Sequence, residues 1–475
     1  MPSTPPDDPK VPSKQRRDLL LAGAAAAGAS LLASCMGGGA SEEAPLVGEP
    51  PPDPLARFSH LVVVMFENRS FDNLLGYLYS QGAVPSDWPP MVPLPPALPA
   101  GQSLEGLYGK SLHNKDVEGK SYHAHPHAFA PSSTTVADWS HPDPDPGEGL
   151  AHTATQMAGG AMSGFVEDYA AKNPKADLEH IMGSYAPAHL PVLGTLAQQF
   201  LVFDHWHCAV PSETYCNRSF FHASTSNGYV ENAPVDKWKN NTHATIFDRL
   251  QDAPGKPGWN VYLEQGGEYP QGLTGFIHPG TSARNPGNFL PYGRFFTDIA
   301  KGALPAYSFI ECLYGGKYDF HPPQDVRGGE EVLRQVYEAI RTSAGTSHDY
   351  SQNTLLLVIF DEHGGCYDHV KPPTGVPAPT KPATPGEKGF DFTNLGLRVP
   401  AIAISAHTPA GTVVNTPMHH AAVIRTLCAK YNLDPLTDRD RDPGGGDLRA
   451  AVTLATPRAA STWPAFPDKV APGPA

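Results

Sequence analysis

Positive charge is scarce in this chain: 34 Lys and Arg stand against 48 Asp and Glu, for a formal net charge of −14. Domains that bind nucleic acid are usually basic, so this balance argues against such a partner. Long apolar runs are lacking as well. The Ala-rich run 19–33 is too short for a comfortable membrane span. No segment recurs at a fixed period, which sets repeat architectures aside. Cysteine is sparse, with six in all. Proline (52) and glycine (46), by contrast, are abundant while charged residues are few, which reads as many ordered loops around a compact core.

Residues 14–17 read Lys-Gln-Arg-Arg and precede the Ala-rich run. A twin arginine before a weakly hydrophobic segment is the pattern of a Tat export signal. Leu32, Ala33, Ser34 and Cys35 look like a lipoprotein signal-peptidase box. Residues 1–35 therefore read as a Tat-type lipoprotein signal with Cys35 as the lipidation site; a cleaved signal without lipid is the alternative. This places the protein in the periplasm or cell envelope, held to the membrane by its N-terminal anchor. Such a compartment permits disulfides, but Cys208, Cys216, Cys312, Cys366 and Cys428 are an odd set, and spacing assigns no pairs. Residues 36–54 are rich in Gly, Ala, Pro and acids and read as a flexible linker. Residues 55–440 carry strand–helix–strand signals throughout and read as one domain. Residues 441–475, rich in Pro, Gly and Asp, read as a surface tail.

Two stretches organise that domain. In the first, the apolar run Leu61 to Phe66 ends in Glu67 and Asn68, and Arg69 to Asp72 lead into a short helix. In the second, Leu355 to Phe360 ends in Asp361 and Glu362, and Gly364 and Gly365 permit a tight turn. Acids at the carboxyl ends of buried strands lie where open α/β sheets place their ligands. Two such strands side by side could set Glu67, Asn68, Asp361 and Glu362 around one hard divalent cation. The plainer alternative is a turn acid with Ser70 or Asp72 capping the helix.

The segments ENRSFDNLLG (67–76), DEHGGCYDHV (361–370) and GLRVPAIAIS (396–405) resemble three signatures of the bacterial phospholipase C and acid phosphatase phosphoesterase family, akin to plant non-specific phospholipases C. A fourth signature, T-x-P-N-R, is matched by Thr214 to Arg218, with Cys216 in place of proline. The resemblance spans roughly 57–433 and makes 55–440 the catalytic domain. It implies an α/β fold of the alkaline-phosphatase-like type, a central mostly parallel sheet with helices on both faces in three layers. The larger phospholipase relatives carry extra C-terminal β domains; none is expected within residues 441–475.

The resemblance also distributes roles. It selects Thr214 as nucleophile, over Ser212, which chemistry alone would also permit. Thr214 precedes a helix, whose free N–H groups suit a phosphate; a capping role is the alternative. One divalent ion (Ca, Mg, Mn or Zn) is expected on Glu67, Asn68, Asp361, Glu362 and the Thr214 oxygen, lowering the pKa of that hydroxyl. A bound cation also reconciles the acidic balance with an anionic substrate. Asn217 and Arg218 are expected to donate to phosphate oxygens. His321, within a D-x-H-P turn, and His369 are expected to serve the leaving group, with structural hydrogen bonding as the alternative. The family has a D-P-G-H or D-P-G-E turn, and Asp145, Pro146, Gly147 and Glu148 fit the second form; Glu148, or His152 in place of the histidine that relatives use, is expected near the substrate, with helix capping and solvent exposure as the alternative. The histidine-dense stretch 113–127 reads as a loop over the site rather than a ligand set. The implied activity is hydrolysis of a phospholipid through a phosphothreonine, with acid phosphatase as the alternative. A non-catalytic surface lipoprotein on the same fold is a third reading. Loss of an acid or of Thr214 would mark it, and none is missing.

Overall fold

The computed structural model describes residues 53–264, 269–311, 318–381 and 383–469. The expected signal, Cys35 and nearly all of the linker lie outside these residues, as does Cys312. Among the described residues no helix is long and apolar enough to cross a membrane.

One eight-stranded sheet spans the domain. Its strands are β1 (His60–Phe66), β2 (Leu201–Phe203), β3 (Trp259–Leu263), β4 (Phe289–Pro291), β5 (Tyr307–Glu311), β6 (Thr354–Phe360), β7 (Ala401–Ile404) and β8 (Thr412–Val414). Their order is β8-β2-β7-β6-β1-β5-β3-β4. Neighbours run parallel except that β7 is antiparallel to both β6 and β2. The sheet is thus mostly parallel, as expected, with one reversed strand inside it. The strands β4 and β8 were not anticipated. Both are three residues long and sit at the edges, too short to carry an apolar period.

The central strands explain themselves chemically. Every residue of β6, and all of β1 after His60, is buried, which is what continuous Val, Ile, Leu and Phe runs require when helices cover both faces. The helices form two packed groups. Pro191–Gln199, Tyr292–Ala300 and Arg327–Thr342 make one group; Thr214–Ala223, Ile246–Asp252, Gly272–Ile277 and Ala421–Tyr431 make the other. Buried carboxylates pin some of their N-termini. Glu330 accepts from Val192 N at 2.6 Å and Leu193 N at 2.8 Å. Glu311 does the same for Leu273 and Thr274 at 2.6 and 2.9 Å.

The C-terminal segment differs from expectation. Thr437 and Asp440 form a capping box around a short helix, and Leu448, Ala451, Val452 and Trp463 are buried in the same core as β1. Scattered apolar residues in a Pro- and Gly-rich stretch show no period, so only the docking surface reveals that they are core. The four described cysteines, Cys208, Cys216, Cys366 and Cys428, are buried free thiols.

Candidate active site

Strand register builds the site. β1 pairs in parallel with β6 so that Phe66 lies level with Phe360. The next residues, Glu67–Asn68 and Asp361–Glu362, therefore leave the sheet side by side. The two chains stay joined past the strands: Asp361 N donates to Phe66 O and Arg69 N to Glu362 O, each at 3.1 Å. One oxygen of Asp361 accepts from Asn68 N at 3.0 Å and Glu362 N at 2.8 Å. Glu362 accepts from Gly364 N at 2.7 Å. Gly364 has φ +63°, and a Cβ there would stand 2.1 Å from the Asn68 carbonyl oxygen. Asn68 itself sits at φ 59°, a left-handed conformation that asparagine tolerates better than most residues. Ser70 caps the helix Phe71–Leu75 by accepting from Asn73 N, so the capping alternative holds for Ser70 but leaves Glu67 and Asn68 unexplained.

The helix Thr214–Ala223 delivers the next group. Its cap position is Glu213, and Thr214 is the first helical residue, so capping does not account for Thr214. The Glu213 carboxylate instead takes the Asn232 amide, and Asn232 in turn accepts from Tyr215 N at 2.9 Å. Arg218, four residues on, shares a helix face with Thr214. It donates from Nε to Asp361 at 3.0 Å and lies 3.9 Å from Glu67. Thr214 is 5% exposed, whereas Ser212 is fully buried.

A third strand of chain closes the cluster. Glu67 N donates to Asp319 at 3.2 Å, and Asp319 also accepts from His321 N. Asn68 Nδ2 donates to Glu148 at 2.6 Å, and His321 Nε2 lies 3.8 Å from the same oxygen. Burial and the neighbouring Asp319 and Asp361 push Glu67 well above the usual carboxylate range. Burial, Glu148 and Asp361 do the same to Glu362. Burial and Asp145 bring Glu148 up to about 7. Burial works against a charge on His321, yet Glu148, Asp145 and Asp319 hold it above its ordinary value.

This chemistry fits a cation. Carboxylates crowd one buried place, and the positive charges of Arg218 and His321 oppose theirs. Two buried oxygens there, Asn68 Oδ1 and Glu362 Oε1, have no hydrogen-bond partner, as expected of ligand atoms rather than structural ones. The donor set differs in detail from the expected one. Asp361 is fully engaged by two backbone amides and Arg218. Among the described residues, the His and carboxylate groups whose ligand atoms all lie within 4.8 Å are Asp145–Glu148–His321, beside this cluster, and Asp72–Asp368–His369; Glu67, Asp361 and Glu362 do not form such a group together.

The remaining expected residues are placed as follows. Asn217 does not face the cluster with a free amide. Its side chain accepts from Val210 N and donates to Val210 O, Ser212 O and Glu213 O at 2.9–3.1 Å, so it shapes the loop that carries Thr214. His369 belongs to another network. Nδ1 meets Asp72 at 2.5 Å and Nε2 meets Glu105 at 2.9 Å, while Arg398 holds both Asp72 and Asp368. His152 is bound to Asp168 at 2.8 Å and 42% exposed. Sequence reasoning gave no role to Asp319, the first residue of the D-x-H-P turn, or to Gln156 and His363. His363 Nε2 meets Gln156 at 2.8 Å and Nδ1 lies 3.2 Å from Glu362. Gln156 in turn donates to Asp168. Its position beside Glu362 in DEHGG was the available signal for His363; nothing local marked Gln156. Of the histidine-dense stretch, His125–Pro126 pairs with Gly183–Ser184, and His127 packs on His141 and Tyr185.

The family model for the Phosphoesterase family matches residues 58–434. The chain belongs to that family. As a member it is a phosphoric ester hydrolase, and its motifs lie where the sheet sets the acid pairs level. The phosphoesterase is 32% identical to non-specific phospholipase C3 of Arabidopsis thaliana, over 84% of this chain and 74% of that protein. It is 26% identical to phospholipase C B of Mycobacterium tuberculosis, over 86% and 80%. A solved structure of an alkaline phosphatase superfamily protein from Vibrio parahaemolyticus aligns over 53% of this chain and 63% of that one, at 17% identity and a TM-score of 0.33.

Proposed function

We propose that the phosphoesterase acts as a phospholipase C, releasing diacylglycerol and a phosphorylated head group through a covalent phosphothreonine at Thr214. One observation carries this conclusion. The Phe66–Phe360 register sets the acid cluster beside Arg218, which shares a helix face with Thr214 and reaches Asp361 at 3.0 Å. The relatives named phospholipase C support the choice of ester.

Catalysis on phosphorus rests on neutralising the phosphoryl oxygens and aligning the groups in line. The Thr214 hydroxyl releases its proton to solvent as its oxygen forms the new bond to phosphorus, and the bond from phosphorus to the glycerol oxygen breaks. His321, whose charged form Glu148, Asp145 and Asp319 favour, gives its proton to the departing alkoxide. Water then cleaves the phosphothreonine, one of its protons returning to His321, while the departing Thr214 oxygen regains its proton from solvent. Arg218 offsets the local negative charge. Glu67, Asn68 and Glu362, backed by Asp361, would hold a divalent cation such as Ca, Mg, Mn or Zn. When bound, that cation lowers the pKa of the threonine hydroxyl and offsets phosphate charge. Asn217 and His369 act by holding the loops around the site.

The twin arginine and the Cys35 box support export by the Tat route and a lipid anchor in the cell envelope. Unchanged detergent partitioning of a Cys35→Ser protein would rule the anchor out. For the activity, Thr214→Ala is expected to lower turnover of phosphatidylcholine and of a soluble phosphomonoester by at least about a thousandfold while leaving the circular dichroism spectrum unaltered. A Thr214→Ala enzyme at near wild-type rate would refute the phosphothreonine.

A further inference from the structure

The helix Leu150–Met157 is amphipathic the wrong way round. Its inward residues are polar: Thr153 and Gln156 are buried, with Gln156 bonded to His363 and Asp168. The other face carries Leu150, Ala154 and Met157 at the i, i+4, i+7 spacing; Ala154 is exposed, while Leu150 and Met157 are half-buried against neighbouring apolar clusters. That face leaves apolar surface only partly covered. Here it forms one wall of a cavity of about 440 Å³ whose other walls include Pro211, Phe390 and Leu395. That volume is in the usual range for a small-ligand pocket.

At one end the lining residues Leu150 and Pro211 stand within three residues of the reacting groups along the chain. Leu150 follows Glu148 by two residues, and Glu148 accepts from Asn68. A Cβ on Gly149 would stand 3.3 Å from the Glu213 carboxylate, the residue before Thr214. Pro211 precedes Thr214 by three. From that end the stripe runs away from the site for seven residues of helix, roughly 10 Å. At its far end the aliphatic stem of Lys371 lies against Gly160, with a charged tip suited to an interface between apolar and wet surroundings.

We infer that this cavity is the subsite for the acyl chains of the diacylglycerol portion of a glycerophospholipid, an inference that rests on the phospholipase reading above. A polar head group would find few partners along Leu150, Ala154, Met157 and Phe390. An acyl chain attached through glycerol to a phosphate at Thr214 is apolar where the cavity is apolar and begins at the end lined by Leu150 and Pro211.

The test is a chain-length series. The kcat/KM of the full-length protein is measured for dibutyryl, dioctanoyl and dipalmitoyl phosphatidylcholine in mixed micelles, for wild type, Ala154→Trp and Met157→Glu. Ala154 is exposed and tolerates change; Met157 also packs against a buried cluster, and thermal unfolding confirms that each variant folds. Wild type is expected to favour the longer chains. Filling the cavity or charging it should lower the dipalmitoyl-to-dibutyryl ratio by about tenfold, the loss of about 1.4 kcal/mol of chain burial. A wild type indifferent to chain length, or variants whose ratio stays within about twofold of wild type, overturns the subsite while leaving the phospholipase activity standing. A wild type that cleaves a soluble phosphomonoester but no phosphatidylcholine overturns the phospholipase reading, and the subsite with it.

Discussion

Replacing Arg218 with methionine tests the electrostatics of the site most directly. The guanidinium is fully buried and holds Asp361 at 3.0 Å, with Glu67 at 3.9 Å. Methionine has similar reach but no charge. Two unit charges about 4 Å apart at an effective dielectric constant near 20 attract by about 4 kcal/mol. Removing one partner of a buried pair usually costs about 3–5 kcal/mol, because the other charge is left unpaired. Here the deficit falls on Asp361 and Glu67, both already disfavoured as anions by burial. We therefore expect Arg218→Met to lose about 3–5 kcal/mol of stability in urea unfolding with chelator present. Arg218→Lys keeps the charge without the planar fork and should lose less. Turnover should fall in both. A loss below about 1 kcal/mol for Arg218→Met, the scale of an exposed ion pair, would show that Arg218 does not neutralise this cluster.

Other perturbations probe the surrounding scaffold. Burial opposes a charge on His369, but Asp72 holds it above its ordinary 6.5; burial likewise opposes the Asp72 anion, but His369 and Arg398 keep its carboxyl below its ordinary 3.8. The stability that His369 contributes is therefore complete below pH 6.5 and lost as pH rises through its raised value. That of Asp72 is complete above pH 3.8 and lost as pH falls through its lowered value. His369→Gln should cost about 1.5–3 kcal/mol near pH 5 and clearly less at pH 9; denaturant titrations giving one constant difference would contradict the ion pair. Gly364→Ala must adopt φ +63° and displace the Asn68 carbonyl. It should cost more than about 1 kcal/mol and reduce turnover, and a fully active, equally stable variant would show that the turn is free to move. Trp463→Ala, in the C-terminal segment buried with the core, should cost about 3–5 kcal/mol; a loss under about 1 kcal/mol would mean that this segment is dispensable.

The chain by itself determined the two buried central strands, the acids at their ends and the identity of the family. Continuous apolar runs of six residues ending in Glu-Asn and Asp-Glu have few other physical readings, and glycine after Glu362 already announced the turn. Helices such as Arg327–Thr342, with Val332, Leu333, Val336 and Ile340 at regular spacing, were legible for the same reason. Contacts between distant segments were not. No local signal says that Asn217 turns its amide back onto Val210–Glu213, that His369 is taken by Asp72 and Glu105, or that Trp463 enters the core. Those outcomes depend on which surfaces meet once the sheet has twisted and the helices have docked. Nor could spacing foretell that Leu150–Met157 turns its polar face inward, since a helix pattern shows two faces but not which of them the core will choose. Only the tertiary structure decided that, because the buried partners of Gln156 come from His363 and Asp168, and hydrogen bonds between such partners form only after the loops that carry them have closed.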